Sequence, residues 1–123
     1  MSHTLNWEGN GVYWKYSGDV TGAEILSAST EIYGDPRFDI LKYKLVDFSD
    51  VTSITISEEE IKLITFQHAA AAQSNPRIKN AIIINKNDER AKLFVHYLST
   101  NSNWEVAAFS SLEEANQWLG RKS

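Results

Sequence analysis

Two aspartates, a serine and a histidine, all within one stretch of thirty residues, are the side chains best placed to do chemistry. Asp47 and Asp50 flank a polar turn after the apolar run Tyr43–Phe48. Ligands of α/β folds collect at the ends of such strands, so carboxylates there could hold a metal or act as a base. The same residues also bond nearby backbone amides in Asx turns, and that reading weighs more. Ser57 is followed by Glu58, Glu59 and Glu60. Three carboxylates in a first helical turn complement the helix dipole, which explains them without a metal. The histidines are His3, His68 and His96, and none stands at a spacing from a serine that marks a nucleophile and its base. GxGxxG, GxxxxGK[ST] and HExxH are missing, and so is cysteine, hence disulfides and thiolate metal sites. A non-catalytic protein without metal or cofactor is expected.

The elements around these residues follow from patterning. Leu5–Glu8 reads as a strand, and Asn10-Gly11 as a type I′ hairpin turn. Val12, Trp14 and Tyr16 alternate with Tyr13, Lys15 and Ser17, which marks a half-buried strand ending at Gly18-Asp19. Thr21 and Glu24 form a capping box for a helix running to about Tyr33, with Val20 and Ile25 as its staple. Gly34-Asp35-Pro36 closes that helix, the glycine permitting a left-handed cap. Tyr43–Phe48, Ala81–Asn85 and Trp104–Phe109 are apolar runs that suit interior parallel strands. Helical patterns follow each of them, over Ser57–Gln73, Asp88–Thr100 and Ser110–Leu119. Ser57 with Glu60 and Ser110 with Glu113 repeat the capping box. Between Asp47 and Ser57 the chain reads as a loop. The alternation of strands and helices predicts an α/β single domain over 1–123, ordered over about 5–120. It should have a mixed, mainly parallel sheet, an N-terminal antiparallel hairpin and about four helices. His3 falls in a terminus expected to be loose, and residues 120–123 in a loose tail.

Two of the helices carry more apolar side chains than a surface helix needs. Ile61, Ile64, His68, Ala71 and Ala72 make one stripe of the second helix, the core face, with His68 read as a satisfied core histidine. Leu63, Phe66 and Ala70 fall on nearly the opposite side. In the third helix Ala91, Phe94, Val95 and Leu98 form the core stripe, and Leu93 and Tyr97 widen it, with Arg90, Lys92 and His96 nearby. The surplus residues could pack on each other, form a homodimer interface, or meet an apolar ligand or membrane surface.

Charge divides along the chain. The total is −4, yet residues 75–96 carry Arg77, Lys79, Lys86, Arg90 and Lys92 against Asp88 and Glu89. An acidic chain is a poor partner for nucleic acid. The basic block could face anionic lipid or an acidic protein, or simply be solvated. The chain has no apolar run near the ~20 residues of a membrane span, and MSHTLNWEGN has no signal-peptide core. A cytoplasmic location is expected, peripheral at the membrane if the basic block meets lipid.

The segments SGDVTGAEI, KLVDFSDV, ITISEEEI and VAAFSSLEEANQWL, in this order over residues of about 5–120, resemble the SpoIIAA-like family. That family is related to the STAS domain shared by sulfate transporters and anti-sigma factor antagonists, and its fold is similar to that of the CRAL-TRIO lipid-binding domains. The resemblance implies a four- or five-stranded sheet closed by a helix that carries Trp118 and Leu119. It also implies a phosphorylatable serine in an Asp-Ser-Ser-Gly motif, where this chain reads Thr55-Ile56-Ser57-Glu58. The acceptor position is isoleucine, so a kinase-operated switch there is not expected, and Ser57 is read as a helix cap.

Two functions follow as expectations. The first is a binding module for an apolar or lipid-like small molecule, touching an anionic membrane surface through the second and third helices. Leu63, Phe66, Ala70, Leu93, Phe94 and Tyr97 would form its wall, His68 a polar contact, and Arg90 and Lys92 the headgroup contact. The second is a regulatory domain that binds a protein partner through Asp47, Asp50, Ser57 and the helix after them.

Overall fold

The computed structural model describes residues 3–100 and 104–122. A hairpin of β1 (His3–Glu8) and β2 (Gly11–Thr21) leads into α1 (Gly22–Tyr33) and a short 3-10 turn (Pro36–Ile40). Then come β3 (Tyr43–Thr55), α2 (Glu58–Ser74), β4 (Lys79–Ile83), α3 (Glu89–Thr100), β5 (Glu105–Phe109) and α4 (Leu112–Leu119). The strands lie in the order β1-β2-β3-β4-β5. β1 and β2 are antiparallel and the rest pair parallel. This is the mixed α/β sheet that the alternation of strands and helices predicts.

Parallel strands have both faces covered, and the two faces here are unequal. On one side Val12, Trp14, Tyr16, Val46, Phe48 and Ile82 meet Ile25, Ala28 and Ile32 of α1, Ile64, Ala71 and Ala72 of α2, and Ala91, Phe94, Val95 and Leu98 of α3. On the other, Tyr43, Leu45, Ala81 and Ile83 meet Ala115 of α4, with Leu112 and Trp118 at the rim. The core stripes expected on α2 and α3 are buried, except that Ile61 at the start of α2 is only partly covered.

Several boundaries differ from the sequence reading. Glu8 pairs with Gly11, so the hairpin loop is Gly9-Asn10 rather than Asn10-Gly11. Only Gly9 of the two has positive φ, at 60°, as a type II′ turn requires. Gly11 instead lies in the strand, where a Cβ would sit 2.0 Å from the Tyr43 ring that covers it. Gly34 ends α1 in right-handed geometry, φ −87°, and Asp35 caps the turn that follows by accepting from the Arg37 amide. The cap of α4 is Ser111, one residue later than expected, with Glu114 accepting from both Ser110 and Ser111.

Two larger differences concern the regions read as loops or tails. β3 does not stop at Phe48 but runs to Thr55. β4 covers it only over Tyr43–Asp47, so the remainder pairs with β2 alone, from Ser17↔Asp50 to Thr21↔Thr55. The expected loop is therefore a two-stranded arm. The hydroxyls of Thr52 and Ser53 both donate to Asp19 and tie its edges together. At the other end His3 lies in β1 opposite Tyr16, and Arg121 is not loose: its guanidinium donates to both oxygens of Glu8 at 2.8 and 2.7 Å.

Candidate functional site

A largely apolar opening on the surface lies between the β2–β3 arm and α3. It is a groove of about 460 Å³ lined by Ile54 and Ile56 from the arm, Ile61 from α2, and Leu93, Phe94 and Tyr97 from α3. Glu58, Lys62, Arg90 and His96 complete its lining. Local structure explains why these side chains gather there. Ser57 caps α2 through a complete capping box with Glu60, which turns the chain sharply after Ile56. Arg90 reaches across to donate to the Ile54 carbonyl at 3.3 Å and links α3 to the arm. Leu93 is 69% exposed and Tyr97 37%, values unusual for such side chains on a helix packed against a sheet.

Of the residues predicted for a ligand wall, Leu93, Phe94, Tyr97 and Arg90 line this groove. Leu63, Phe66 and Ala70 do not. They lie exposed on α2, Leu63 at 52% and Phe66 at 75%, on a face that points away from α3. The surplus stripes of the two helices therefore neither close on each other nor form one cavity. Lys92 is exposed and paired with Glu89 at 3.4 Å.

His68 is buried on the core stripe as expected, but it is not fully satisfied there, since its Nδ1 has no partner among the described residues. Its Nε2 lies 3.1 Å from the Nζ of Lys44, which is equally buried on β3 and donates to the Tyr33 hydroxyl at 2.7 Å. The rings of Trp14, Tyr33 and Trp104 surround the amine at 5.2–5.5 Å, the range of cation–π contact. Burial drives the Lys44 amine down to about 7. Burial, and then the nearby Lys44, hold His68 well below the ordinary histidine value. Beside this pair is a narrow space of about 20 Å³ bounded by Lys44, His68, Asn80, Trp14, Tyr16 and Phe94 among others. Around it, Asn80 Nδ2 and Oδ1, His68 Nδ1, Trp14 Nε1 and the Tyr16 hydroxyl make no hydrogen bond of proper geometry to the described residues. The Trp14 indole does lie near enough to the Tyr16 hydroxyl to act on it as a weak hydrogen-bond donor.

Sequence reasoning missed Lys44 and Asn80 as site residues. The signal was available. Lys44, Val46 and Phe48 share one face of β3, so a lysine in that frame must point at the core. Asn80 is its partner across the ladder. Ile54 and Ile61 were also missed as groove residues, because the arm that carries Ile54 read as a loop.

Asp47 is buried; one carboxylate oxygen accepts from the Tyr13 hydroxyl and the other from the Ser49 amide, both at 2.9 Å. The second bond is the Asx turn expected of it. Asp50 is exposed and pairs with Lys15 at 3.0 Å. Ser57 accepts from the Glu60 amide at 3.0 Å and so serves as the cap. These three residues do not converge on one point. Among the described residues no group of three or more acidic or histidine side chains is arranged to hold a metal. No described helix is long and apolar enough to cross a membrane.

No protein-family model matches the chain, and no curated protein does. Solved structures do. The chain is similar to the anti-sigma factor antagonist SpoIIAA in its unphosphorylated form, with a TM-score of 0.63 at 10% identity, covering 96% of this chain and 97% of that one. It is similar to the phosphorylated form of SpoIIAA, the Bacillus cell fate determinant, with a TM-score of 0.62 at 11% identity over 95% and 98%. It is also similar to an uncharacterised DUF3478-family protein with a SpoIIAA-like fold from Shewanella loihica PV-4, with a TM-score of 0.59 at 15% identity over 95% and 91%. None of the three is a CRAL-TRIO protein. Identities this low with coverage of 95–96% of the chain establish architecture alone, and the chain has the SpoIIAA-like fold.

Proposed function

We propose that this protein is a non-catalytic regulatory domain of the STAS type, and that it binds a protein partner through the groove between the β2–β3 arm and α3. The observation that carries the reading is the groove itself: open, apolar along its floor, and bordered by Glu58, Lys62 and Arg90. An apolar centre with a charged rim is the anatomy of a protein interface. The whole-length likeness to an anti-sigma factor antagonist supports the same class of function. It also favours a protein partner over the lipid or membrane surface that the basic block suggested. A cytoplasmic location goes with this proposal.

Control of such a domain would not use the serine that the resemblance points to. Ile56 stands at that position and lines the groove, and Ser57 is engaged by the first turn of α2. Regulation would act through the supply of the partner or through the α1–α2–α3 layer beneath the groove.

A photo-crosslinking residue placed at Leu93, and separately at Glu113 on the opposite face, tests the reading. Capture of the same defined partner from Leu93 and not from Glu113, lost in Tyr97→Asp, is the expected result. Equal capture from both positions, or capture untouched by Tyr97→Asp, excludes the groove as the interface.

A further inference from the structure

The polar space beneath α2 and α3 is a second feature, and the partner reading does not use it. We propose that it receives the carboxylate of a small apolar carboxylic acid, whose hydrocarbon body lies in the neighbouring groove once the Phe94 ring swings aside.

Buried polar side chains in folded proteins have hydrogen-bond partners almost without exception. Here Asn80, with no exposed surface, has both amide atoms unpaired, and His68 Nδ1, Trp14 Nε1 and the Tyr16 hydroxyl, also unpaired, belong to residues that line the same space, the last two close enough to act on each other. Gln67 Oε1 is the one other such atom among the described residues, and it is not part of this lining. The unpaired groups are thus concentrated around one space rather than scattered.

Their chemistry selects the ligand. Asn80 Nδ2, Trp14 Nε1 and the Tyr16 hydroxyl are donors, and Lys44 adds an amine that can carry charge. No carboxylate lines the space. A buried amine surrounded by donors and rings, with no acid to pair with, is complementary to a compact monoanion. A carboxylate matches it, because one negative charge meets one amine and two oxygens meet several donors. A doubly charged phosphate would leave a charge unmatched. A water could satisfy one or two of these atoms but gives the amine no counter-charge.

The geometry supplies the route and the body of the ligand. Phe94 lines both the narrow space and the groove, and in this proposal its ring is the partition between them. The narrow space, about 20 Å³, holds one water-sized group, so a carboxylate with its attached carbon requires the ring to move. On the far side Ile54, Ile61 and Leu93 offer an apolar wall for an alkyl or aryl tail. Movement of one ring about χ1 joins head site and tail site without unfolding either helix.

Protonation adds a signature. The titratable groups facing the Lys44 amine are His68 from α2, Tyr33 from α1 and Tyr16 from β2; β4 contributes Asn80 and α3 contributes Phe94 and Leu98, none of them titratable. A carboxylate beside Lys44 favours its ammonium form, so binding takes up a proton, and affinity falls as pH rises above about 7.

Titration of the whole chain with octanoate and, separately, with octan-1-ol, followed by amide NMR, tests the proposal. Octanoate should bind saturably, at least about tenfold more tightly than the alcohol, with shifts at Asn80 and Phe94. Its affinity should weaken between about pH 7 and pH 9. Lys44→Met, checked for a native fold by circular dichroism, should reduce octanoate to the level of the alcohol, and Phe94→Ala should tighten both. Equal affinity for acid and alcohol, or octanoate binding that survives Lys44→Met in a folded variant, overturns the proposal. So does the absence of saturable octanoate binding to both the wild type and Phe94→Ala up to about 5 mM. Because the readout is direct ligand binding, failure here leaves the partner reading standing, and loss of partner capture leaves this one standing.

Discussion

The amine of Lys44 and the imidazole of His68 meet at 3.1 Å inside the core, among the rings of Trp14, Tyr33 and Trp104. Lys44 comes from the start of β3 and His68 from α2, so the contact joins the sheet to the helix that lends Ile61 to the groove. Two basic groups at this distance cannot both be charged in a poorly solvated site, and both are held below their ordinary values. The pair sets how the stability of the fold responds to pH.

On the alkaline side the sign follows from proton counting. Folded Lys44 titrates at about 7, whereas the unfolded lysine holds its proton to beyond 10. Between these values the unfolded chain binds more protons, so stability rises with pH, by about 1 kcal/mol per pH unit from this group. Tyr16 and Tyr33, both raised by burial, reverse the trend above about pH 10, where unfolded tyrosine loses its proton first. Urea unfolding at pH steps between 7 and 9 should show the rise in the wild type and a flat response in Lys44→Met.

On the acid side His68 governs. Its folded form stays neutral well below 6.5, so the unfolded chain alone takes up a proton as pH falls through 6.5, and stability declines. His68→Gln should lose this part of the acid sensitivity, as read by the urea midpoint between about pH 7 and pH 5. An unchanged acid slope would assign the effect to other groups.

Asn75 is a structural keystone distant from the groove. Its buried amide donates to the Phe38 and Leu41 carbonyls at 2.8 and 2.9 Å, and its own carbonyl accepts from the Trp104 indole at 2.7 Å. Asn75→Ala leaves two buried carbonyls without that donor, and a loss of about 2–3 kcal/mol is expected by denaturant unfolding.

Ser57→Ala should cost about 1 kcal/mol, the worth of an N-cap, and leave capture at Leu93 unchanged. A larger effect on partner capture than on stability would give Ser57 a role in recognition that its hydrogen bonds do not suggest.

The Glu8–Arg121 pair ties the end of the chain to β1, and Tyr43 also donates to Glu8. The Arg121 guanidinium, ahead of the Tyr43 hydroxyl, holds Glu8 below the usual carboxylate range, while burial and Glu8 raise Tyr43 to about 12. A carboxylate lowered in the folded state stabilises above its unfolded value, and the gain disappears as pH falls through the folded one. Arg121→Ala should therefore cost about 1 kcal/mol at neutral pH, once solvent screening is allowed for. The difference from wild type should vanish below about pH 4.

What the sequence determined by itself is the class of fold and most of its cores. The caps Thr21 and Ser57 lie where their spacing put them, and the buried stripes of α2 and α3 follow the helical period, because capping and amphipathicity are local consequences of residue order. Tertiary structure decided the rest. Residues 49–55 read as a loop because their mostly polar side chains give no regular apolar face, yet they form a strand since β2 extends beside them and satisfies their backbone. The exposed stripe of Leu63, Phe66 and Ala70 and the groove wall of Leu93 and Tyr97 looked like one surface. A helical wheel gives direction around each axis but not the rotation of one helix against another. Above all, Lys44, His68 and Asn80 come from three separate elements, and only the packing of α2 on β3 and β4 turns three ordinary polar residues into one buried site.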